Sequence, residues 1–274
     1  MDVGLIGCGA IGSSLALAIV SGKAGDITLR GICDTDAGRV DKLNKQLNLP
    51  SLILTNDSDK LIAQKNIDLI VEAASPKVVE LVAEKVLSSG KHLFMMSVGA
   101  LREEKLLKKL EYLAKENNVK IYAPSGAICG LDGVKSASVE NIESVEIIST
   151  KSPKSLQGSP YLVENNIDIS NLTDSKIVFE GDAYEAAKGF PQNVNVAVAL
   201  SLAGIGVKKT KVKIIADPKA TKTKHEIRVK GDFGELYTCV INSLHPENPK
   251  TSYLAALSAI RTLRKISEPL QLGT

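Results

Sequence analysis

A glycine-rich turn near the N-terminus carries the clearest chemical signal in the sequence. It reads Gly7-Cys8-Gly9-Ala10-Ile11-Gly12, directly after the apolar stretch 3–6 and directly before the apolar stretch 13–20. A strand, such a turn and a helix in that order are typical of a dinucleotide site, because the turn brings a pyrophosphate to the free N–H groups at the helix start. The pattern predicts cofactor contacts from five residues: Gly7, Gly9, Ala10, Ile11 and Gly12.

A carboxylate follows the second expected strand. Asp34 comes directly after the apolar stretch 27–33, near the spacing of about 20 residues at which an acidic side chain bonds the adenosine ribose. Because a carboxylate accepts from a 2′-hydroxyl and repels a 2′-phosphate, Asp34 predicts a preference for NAD. Arg30 and Arg39 lie close by in sequence, so use of NADP stays open.

The three histidines are the side chains best suited to moving protons near neutral pH. His225 begins an alternating stretch in which it shares the covered face of a strand with Ile227 and Val229. It could look into an interdomain cleft as a general acid–base, and a hydrogen-bonded histidine at the edge of the core fits the spacing equally well. We expect His92, at the start of a buried strand, to be structural and His245, in a polar loop, to lie on the surface.

Two asparagines open a helix that is otherwise almost wholly apolar. Asn193 and Asn195 follow Phe190-Pro191-Gln192 and are separated by a single valine. One of them fits an N-cap, because an amide oxygen can accept from a free N–H of the first turn. The other would then be available to bond an amide such as the nicotinamide carboxamide.

The positioning elements in the first 123 residues are short apolar stretches that alternate with helical patterns. This order predicts a doubly wound parallel sheet with strands near 3–6, 27–33, 52–54, 68–74, 91–96 and 119–122. Ligands of such sheets bind outside the carboxyl ends of the strands. We therefore add Ala74 and Ser97, which follow the fourth and fifth strands, to the expected cofactor contacts.

The pattern changes after residue 140 into strands near 145–148, 176–179, 212–215, 226–230 and 236–241, with helices near 182–188 and 193–204. The expected fold class is α/β, an N-terminal Rossmann-type doubly wound parallel sheet with a second mixed α+β domain. We expect a dinucleotide-binding domain at 1–123, a substrate domain at 124–248, and a C-terminal segment, 249–274, that completes the first domain. Its helix, 249–265, should bury Leu254, Leu257 and Ile260.

Composition excludes several classes of protein. A net charge of +3, 4% aromatic residues and no Trp are unlike a nucleic-acid binder. No apolar run approaches the ~20 residues that span a membrane, and no signal-peptide pattern precedes the first strand, so we expect a cytoplasmic protein. The four cysteines are dispersed, which favours reduced thiols over a metal site or a disulfide framework.

Five segments together resemble the L-aspartate dehydrogenase family along the whole chain. They are the glycine turn within 4–12, Ser125-Gly126-Ala127-Ile128-Cys129-Gly130-Leu131-Asp132, Phe190-Pro191-Gln192-Asn193-Val194-Asn195-Val196-Ala197, the stretch from His225-Glu226-Ile227 to Gly231-Asp232-Phe233-Gly234, and Asn248-Pro249-Lys250-Thr251-Ser252. The last four are more specific than the glycine turn, because they occur in order and at suitable spacing.

The resemblance implies NAD(P)-dependent oxidation of L-aspartate to iminoaspartate, which water converts to oxaloacetate and ammonia, in a step that feeds NAD synthesis. It implies that Ala127 contacts the cofactor through its backbone, that Asn195 holds the nicotinamide end, and that His225 is the acid–base residue. It also implies a homodimer formed through the second domain's sheet. Cys129 stands where the family usually has Gly, and Thr223 where an Asn often stands.

The substrate would bring two carboxylates that need partners. Candidates are Lys222, Lys224, Arg228 and backbone N–H groups near 97–100 or 125–127. We expect substrate contacts from Ser125, Gly126, Asn193 and Lys224.

Two alternatives stay open: a homoserine dehydrogenase or dihydrodipicolinate reductase of the same two-domain build, and a non-catalytic NAD-binding sensor, which would have a cofactor site without a proton relay.

Overall fold

The computed structural model describes residues 1–191 and 194–274, and for residues 249 and 250 it describes the backbone alone. The chain divides into two units. The first consists of Met1–Pro124 and Ala256–Gln271, and the second of Ser125–Ala255 and Leu272–Thr274.

The first unit contains the predicted parallel sheet. Its six strands run in the order β3-β2-β1-β4-β5-β6, and all of the pairs are parallel. The strands are β1 (Asp2–Ile6), β2 (Thr28–Cys33), β3 (Ile53–Thr55), β4 (Leu69–Glu72), β5 (His92–Met95) and β6 (Ile121–Tyr122). Near-continuous burial of β1, β4 and β5 reflects cover on both faces, as a doubly wound sheet requires.

Helices connect these strands. They are α1 (Ala10–Val20), α2 (Ala37–Leu47), α3 (Ser58–Ile62), α4 (Pro76–Ser88) and α5 (Glu104–Glu116). The Asp36 carboxylate accepts from the N–H of Gly38 at 2.9 Å and starts α2, and Ser75 followed by Pro76 starts α4. In the described ranges, no helix combines the length and the apolar character needed to span a bilayer.

The amphipathic spacing of Leu106, Leu107, Leu110 and Leu113 predicts a helix over 101–117. Helix α5 instead begins at Glu104, three residues later. The preceding segment Val98–Arg102 forms a 3₁₀ helix in which residues 98–101 are all buried, so it follows the packing of the sheet edge rather than the amphipathic pattern. Of the predicted apolar stripe, Leu110 is buried, while the others are half-buried: Leu106, Leu107 and Leu113.

The second unit is built on a mixed five-stranded sheet of order β11-β10-β7-β9-β8. Its strands are β7 (Ile142–Lys151), β8 (Lys176–Asp182), β9 (Lys211–Ala216), β10 (Thr223–Gly231) and β11 (Gly234–Asn242). Only β7 and β9 pair in parallel among these strands. The face that carries the buried side chains of Ile147, Ile214 and Ile227 is called the inner face below, and the opposite one the outer face.

Helices of the second unit are α6 (Leu131–Ala137), α7 (Pro153–Leu156), α8 (Pro160–Glu164), α9 (Ala183–Gly189) and α10 (Asn195–Ala203). A Cβ at Gly133 of α6 would lie 2.7 Å from Leu236, and one at Gly204, after α10, 3.3 Å from Val145. Both of these helices therefore pack on the inner face.

The C-terminal segment differs from the prediction. Residues 249–252 belong to a short hairpin of β12 (Leu244–His245) and β13 (Asn248–Ser252), and the helix α11 occupies Tyr253–Ser267. The Tyr253 N–H donates to the Ser243 carbonyl at 2.8 Å, which closes the hairpin before the helix starts. Helix α11 buries Ala256, Ala259 and Leu263, whereas Leu254 and Ile260 are half-buried and Leu257 is exposed. Ile260 packs against the core of the first unit. Ala259 and Leu263 lie in the core of the first unit.

The same hairpin buries His245, which the sequence placed on the surface. Its ring packs edge-on against Tyr253, and its Nδ1 accepts from the N–H of Glu247 at 3.2 Å. A turn of β12 into β13 brings the imidazole under the start of α11, a contact that the polar loop composition did not indicate.

Candidate active site

The glycine turn of the first unit has the shape of a phosphate cradle. Gly7 has φ +102°, and a Cβ there would lie 2.5 Å from the Ala73 carbonyl oxygen. A Cβ at Gly12 would collide with the Gly7 carbonyl. Gly9 instead faces open space, with nothing within 4 Å of an added Cβ. The turn therefore packs tightly on one side and is accessible at Gly9, where α1 begins, which fits a pyrophosphate on the helix N-terminus.

Asp34 lies beside this turn. Its carboxylate accepts from the N–H of Cys8 at 2.8 Å and from the N–H of Asp36 at 3.0 Å, so it joins the turn to the end of β2. Arg39 Nη1 lies 4.0 Å away. A carboxylate has about four acceptor positions, so Asp34 retains the capacity to accept from a ribose hydroxyl. The residues present thus fit a dinucleotide at both the pyrophosphate and the ribose.

Two buried thiols flank Asp34. Burial raises the pKa of Cys8 to about 12 and that of Cys33 to about 11, with the Asp34 charge adding to each. Both are neutral thiols at pH 7 and are not nucleophiles.

In the described part of the chain, no three His, Cys, Asp or Glu side chains lie close enough together to hold a metal ion.

Ala74 and Ser97 stand at the carboxyl ends of β4 and β5, as expected, but their N–H groups are occupied. Both donate to the carboxylate of Glu72, Ala74 N at 2.8 Å and Ser97 N at 3.1 Å. The Ser97 hydroxyl also donates to Glu72, at 2.9 Å. Any contact of these two residues with a cofactor would therefore use groups other than these three donors.

The second unit buries His225 on the inner face of β10, as the alternation predicted. The side chain is 2% exposed, and its Nδ1 lies 2.8 Å from the Ser149 hydroxyl. Ser149 stands directly opposite on β7. When Nδ1–H donates to Ser149, Nε2 is left as a proton acceptor, which is the tautomer a general base requires.

Lys151 is a second titratable group on the same face. It follows Ser149 by two residues in β7 and is 5% exposed. Since His225 pairs with Ser149, Lys151 is its diagonal neighbour, within reach of a long side chain. Burial lowers the pKa of Lys151 to about 8. Burial, and next the charge of Lys151, lower the pKa of His225 to about 3, so its imidazole is neutral at pH 7.

The loop with Ala127 lies over this part of the sheet. The Asn242 side chain, at the end of β11, donates to the Ala127 carbonyl at 2.9 Å. Gly126 has φ +68°, and a Cβ there would lie 3.4 Å from Val196 in the first turn of α10. Asn195 is the first residue of α10, so the structure places it within that turn. The second unit therefore brings Gly126, Ala127 and Asn195 to one region.

The other expected substrate contacts do not all lie in this region. Ser125 is half-buried in the same loop, and Asn193 lies outside the described residues. Lys224 does not join His225: it points to the outer face, where its ammonium pairs with Glu226 Oε2 at 2.8 Å. Alternation in β10 puts Arg228 on that outer face too. These lysine and arginine side chains therefore lie on the face opposite the imidazole, and a role of Lys224 in substrate binding stays a prediction.

Sequence reasoning missed Ser149, Lys151 and Glu72. The strand predicted at 145–148 ended one residue too early to include Ser149, whereas β7 extends to Lys151. Continuing the alternation of Val145 and Ile147 would have placed Ser149 and Lys151 on the covered face. Glu72 gave no such signal, because Ser97, which supplies two of its three donors, lies 25 residues away in the sequence.

Both units and the chain as a whole are similar to known proteins. Residues 132–266 match the family described as "Aspartate dehydrogenase, C-terminal", and residues 7–124 match "Homoserine dehydrogenase, NAD binding domain". The chain is 46% identical to an L-aspartate dehydrogenase of Methanosarcina mazei and 48% identical to one of Methanococcoides burtonii, each over 100% of both chains. It is also similar to the crystal structure of an aspartate dehydrogenase from Thermotoga maritima, with a TM-score of 0.77 and 27% identity over 100% of this chain and 99% of that one.

The two glycines of the turn predict opposite phenotypes. Gly9→Ala should fold normally, because its extended backbone (φ −73°) and open surroundings accept a methyl group. It should weaken NADH binding by about tenfold or more, since the methyl occupies the approach of the pyrophosphate. Gly12→Ala should lower the melting temperature. Calorimetry and NADH titration measure both effects, and a Gly9→Ala protein that binds NADH as wild type does would contradict the assigned phosphate site.

His225 should remain neutral across the physiological range. Burial and the Lys151 charge both disfavour the imidazolium, so its NMR signal should show no inflection between about pH 5 and 8, where an unperturbed histidine titrates near ~6.5. Lys151→Met removes the positive charge and should raise the pKa of His225. The signal can be assigned by its loss in His225→Asn, and a wild-type inflection near ~6.5 would show that the imidazole is hydrated.

Proposed function

The chain belongs to the L-aspartate dehydrogenase family, and on that premise we propose that it oxidises L-aspartate to iminoaspartate with NAD(P), which water then converts to oxaloacetate and ammonia. The observation that carries the proposal is the buried, neutral imidazole of His225, held at 2.8 Å by Ser149 beside Lys151. This is a proton-transfer group in a chain whose other unit has a dinucleotide turn.

The first unit would hold the cofactor. The chemistry that NAD(P) supplies when bound is acceptance of a hydride. Residues 7–12 would bind the pyrophosphate, and Asp34 would accept from the adenosine ribose. Because Asp34 is negative, we propose that NAD is preferred, while Arg39, at 4.0 Å from that carboxylate, is the group that permits some use of NADP.

His225 would move the protons. The substrate amine must lose a proton before its lone pair can form the C=N bond as hydride leaves Cα. With Nδ1–H donated to Ser149, Nε2 can take that proton once a substrate carboxylate paired with Lys151 offsets the positive charge that lowers the pKa of His225. The same nitrogen can later serve the water that attacks the imine. Ser149 thereby fixes the orientation of the ring.

Lys151 would bind one of the two substrate carboxylates. An ammonium has three donors, so Lys151 can bind a carboxylate in addition to its contacts within the chain. It lies on the same face as His225 and is nearly fully buried, where pairing with an anion offsets the cost of desolvation. Ser125, Gly126 and Asn193 remain proposed substrate contacts, with Asn195 at the nicotinamide end.

A spectrophotometric assay of reduced nicotinamide tests the function. NADH should be consumed with oxaloacetate plus ammonium and not with aspartate semialdehyde or without substrate, and NADPH should be consumed more slowly. His225→Ala should fall below about a tenth of the wild-type rate, because one acid–base group contributes ~10²–10⁴-fold. Turnover with the semialdehyde would instead support the homoserine dehydrogenase alternative.

Two lysines provide a matched pair of variants. Lys151→Met should raise KM for oxaloacetate by about tenfold or more, since a charge-assisted hydrogen bond of about 1.5–3 kcal/mol is lost. Lys224→Met, on the outer face, should leave KM near the wild-type value. The reverse result would place the substrate on the other side of the sheet and return Lys224 to its sequence-based role.

We also propose a homodimer through the outer face of the second unit's sheet. Ile177, Tyr237 and Ile241 on this face are 52%, 56% and 64% exposed, and Ile148 and Ile215 lie between them. These apolar side chains share the outer face with the charged side chains of β10, Lys224, Glu226 and Arg228. Exposed apolar side chains of this size can pack against a second copy of the chain while the charged ones form polar contacts around them. Sedimentation should give a dimer for wild type and a monomer for Ile241→Glu, and a monomeric wild type would contradict the proposal.

The two alternative functions, a homoserine dehydrogenase and a non-catalytic NAD-binding sensor, are less well supported by the second unit. The match of residues 7–124 to a homoserine dehydrogenase domain concerns cofactor binding, whereas residues 132–266 and the full-length relatives are of the aspartate dehydrogenase type. A non-catalytic sensor would have no use for an oriented imidazole beside a buried lysine. A role in pyridine nucleotide synthesis and a cytoplasmic location stay predictions.

A further inference from the structure

Glu72 is a carboxylate with no exposed surface at the carboxyl end of β4. Its carboxylate accepts three hydrogen bonds, from Ala74 N at 2.8 Å, from the Ser97 hydroxyl at 2.9 Å and from Ser97 N at 3.1 Å. The first is in the loop after β4, and the other two are in the loop after β5. One side chain therefore ties together the two loops that follow these neighbouring strands.

The loops after β4 and β5 lie beside the point at which the strand order of the sheet reverses. The strand order reverses between β1 and β4, and dinucleotides bind across such a switch point. Asp34 ends β2, on the half of the sheet that receives the adenosine ribose. The loops after β4 and β5 belong to the other half, which receives the nicotinamide riboside. Glu72 thus holds the backbone on the nicotinamide side.

The loop after β4 also contacts the glycine turn. The Ala73 N–H donates to the Ile6 carbonyl at 2.8 Å, and the Ala73 carbonyl is the group that a Cβ at Gly7 would meet. A displacement of this loop would therefore also move the glycine turn on the other side of the switch point.

The bonding pattern requires an acceptor at both oxygens of Glu72. Its named partners all donate, so the ionised carboxylate satisfies them, whereas a protonated acid or an amide would turn a donor toward an N–H. Burial raises the pKa of Glu72, and the hydrogen bonds from Ala74 and Ser97 oppose that rise. A buried charge is costly unless hydrogen-bonded in this way.

We propose that Glu72 is a positioning residue for the nicotinamide half of the cofactor. Its carboxylate fixes the loops after β4 and β5 in one arrangement before binding, so that the ring is held without an ordering cost. The inference rests on the proposed use of NAD(P). Glu72 acts through Ala74 and Ser97 and need not touch the cofactor itself.

The test compares NADH with ADP-ribose, which lacks the nicotinamide. Calorimetric titration of Glu72→Gln should show NADH binding weakened by about tenfold and ADP-ribose binding unchanged within about twofold. A general loss of folding would weaken both ligands equally. Equal losses, or no loss for either ligand, would overturn the inference.

Ser97→Ala provides a milder variant if Glu72→Gln does not fold. It removes one donor and leaves the carboxylate in place, so NADH binding should weaken by about threefold with ADP-ribose unchanged. Unchanged NADH affinity, or equal weakening of both ligands, would overturn the inference in this variant too.

Asp68→Asn is the matched control. Asp68 precedes β4 at its other end, where its carboxylate accepts from the N–H of Asp2 at 2.8 Å. The same carboxylate-to-amide change there should alter neither affinity, and selective loss of NADH in this variant would overturn the assignment to Glu72. If wild-type protein binds ADP-ribose and not NADH, the proposed cofactor use fails and this inference fails with it.

Discussion

Backbone N–H groups at the carboxyl edge of a parallel sheet must find acceptors, and in the first unit two carboxylates supply them. Asp34 accepts from the glycine turn and from its own loop, and Glu72 accepts from the loops after β4 and β5. Unsatisfied donors there would cost about 1–3 kcal/mol each. The shape of this edge, including the tight contact of Gly7 with Ala73, depends on these bonds.

In the second unit, the positions of the polar side chains depend on a different constraint, the alternation of side chains between the two faces of a sheet. Every second residue of β7 and β10 faces the core, which places Ser149, Lys151 and His225 together among apolar side chains. Low polarity then depresses the pKa of both bases, so that a neutral imidazole stands near a group that is largely cationic at pH 7. The alternate residues Lys224 and Glu226 pair with each other on the outer face.

Much of the site followed from local pattern. The glycine turn, Asp34 and the buried face of His225 were predicted because strand–turn–helix order and two-residue alternation are properties of neighbouring residues. Predictions at element ends were wrong where packing overrode the pattern. Residues 98–102 became a 3₁₀ helix, residues 249–252 became a strand, and the hairpin that contains them buried His245.

The sequence by itself determined the α/β class, through the alternation of strand and helix patterns over residues 1–123. It also determined the position of the dinucleotide turn and the side of β10 on which its histidine lies, since each of these two is encoded within about a dozen contiguous residues. Only the tertiary structure decided which polar groups meet. Glu72 finds Ser97 across 25 residues, and Ser149 finds His225 across 76, because strand order rather than sequence distance makes them neighbours. Contacts that depend on strand order leave no periodic pattern in the sequence, and for that reason the sequence did not indicate that Lys151, rather than Lys224, lies on the same face as the imidazole.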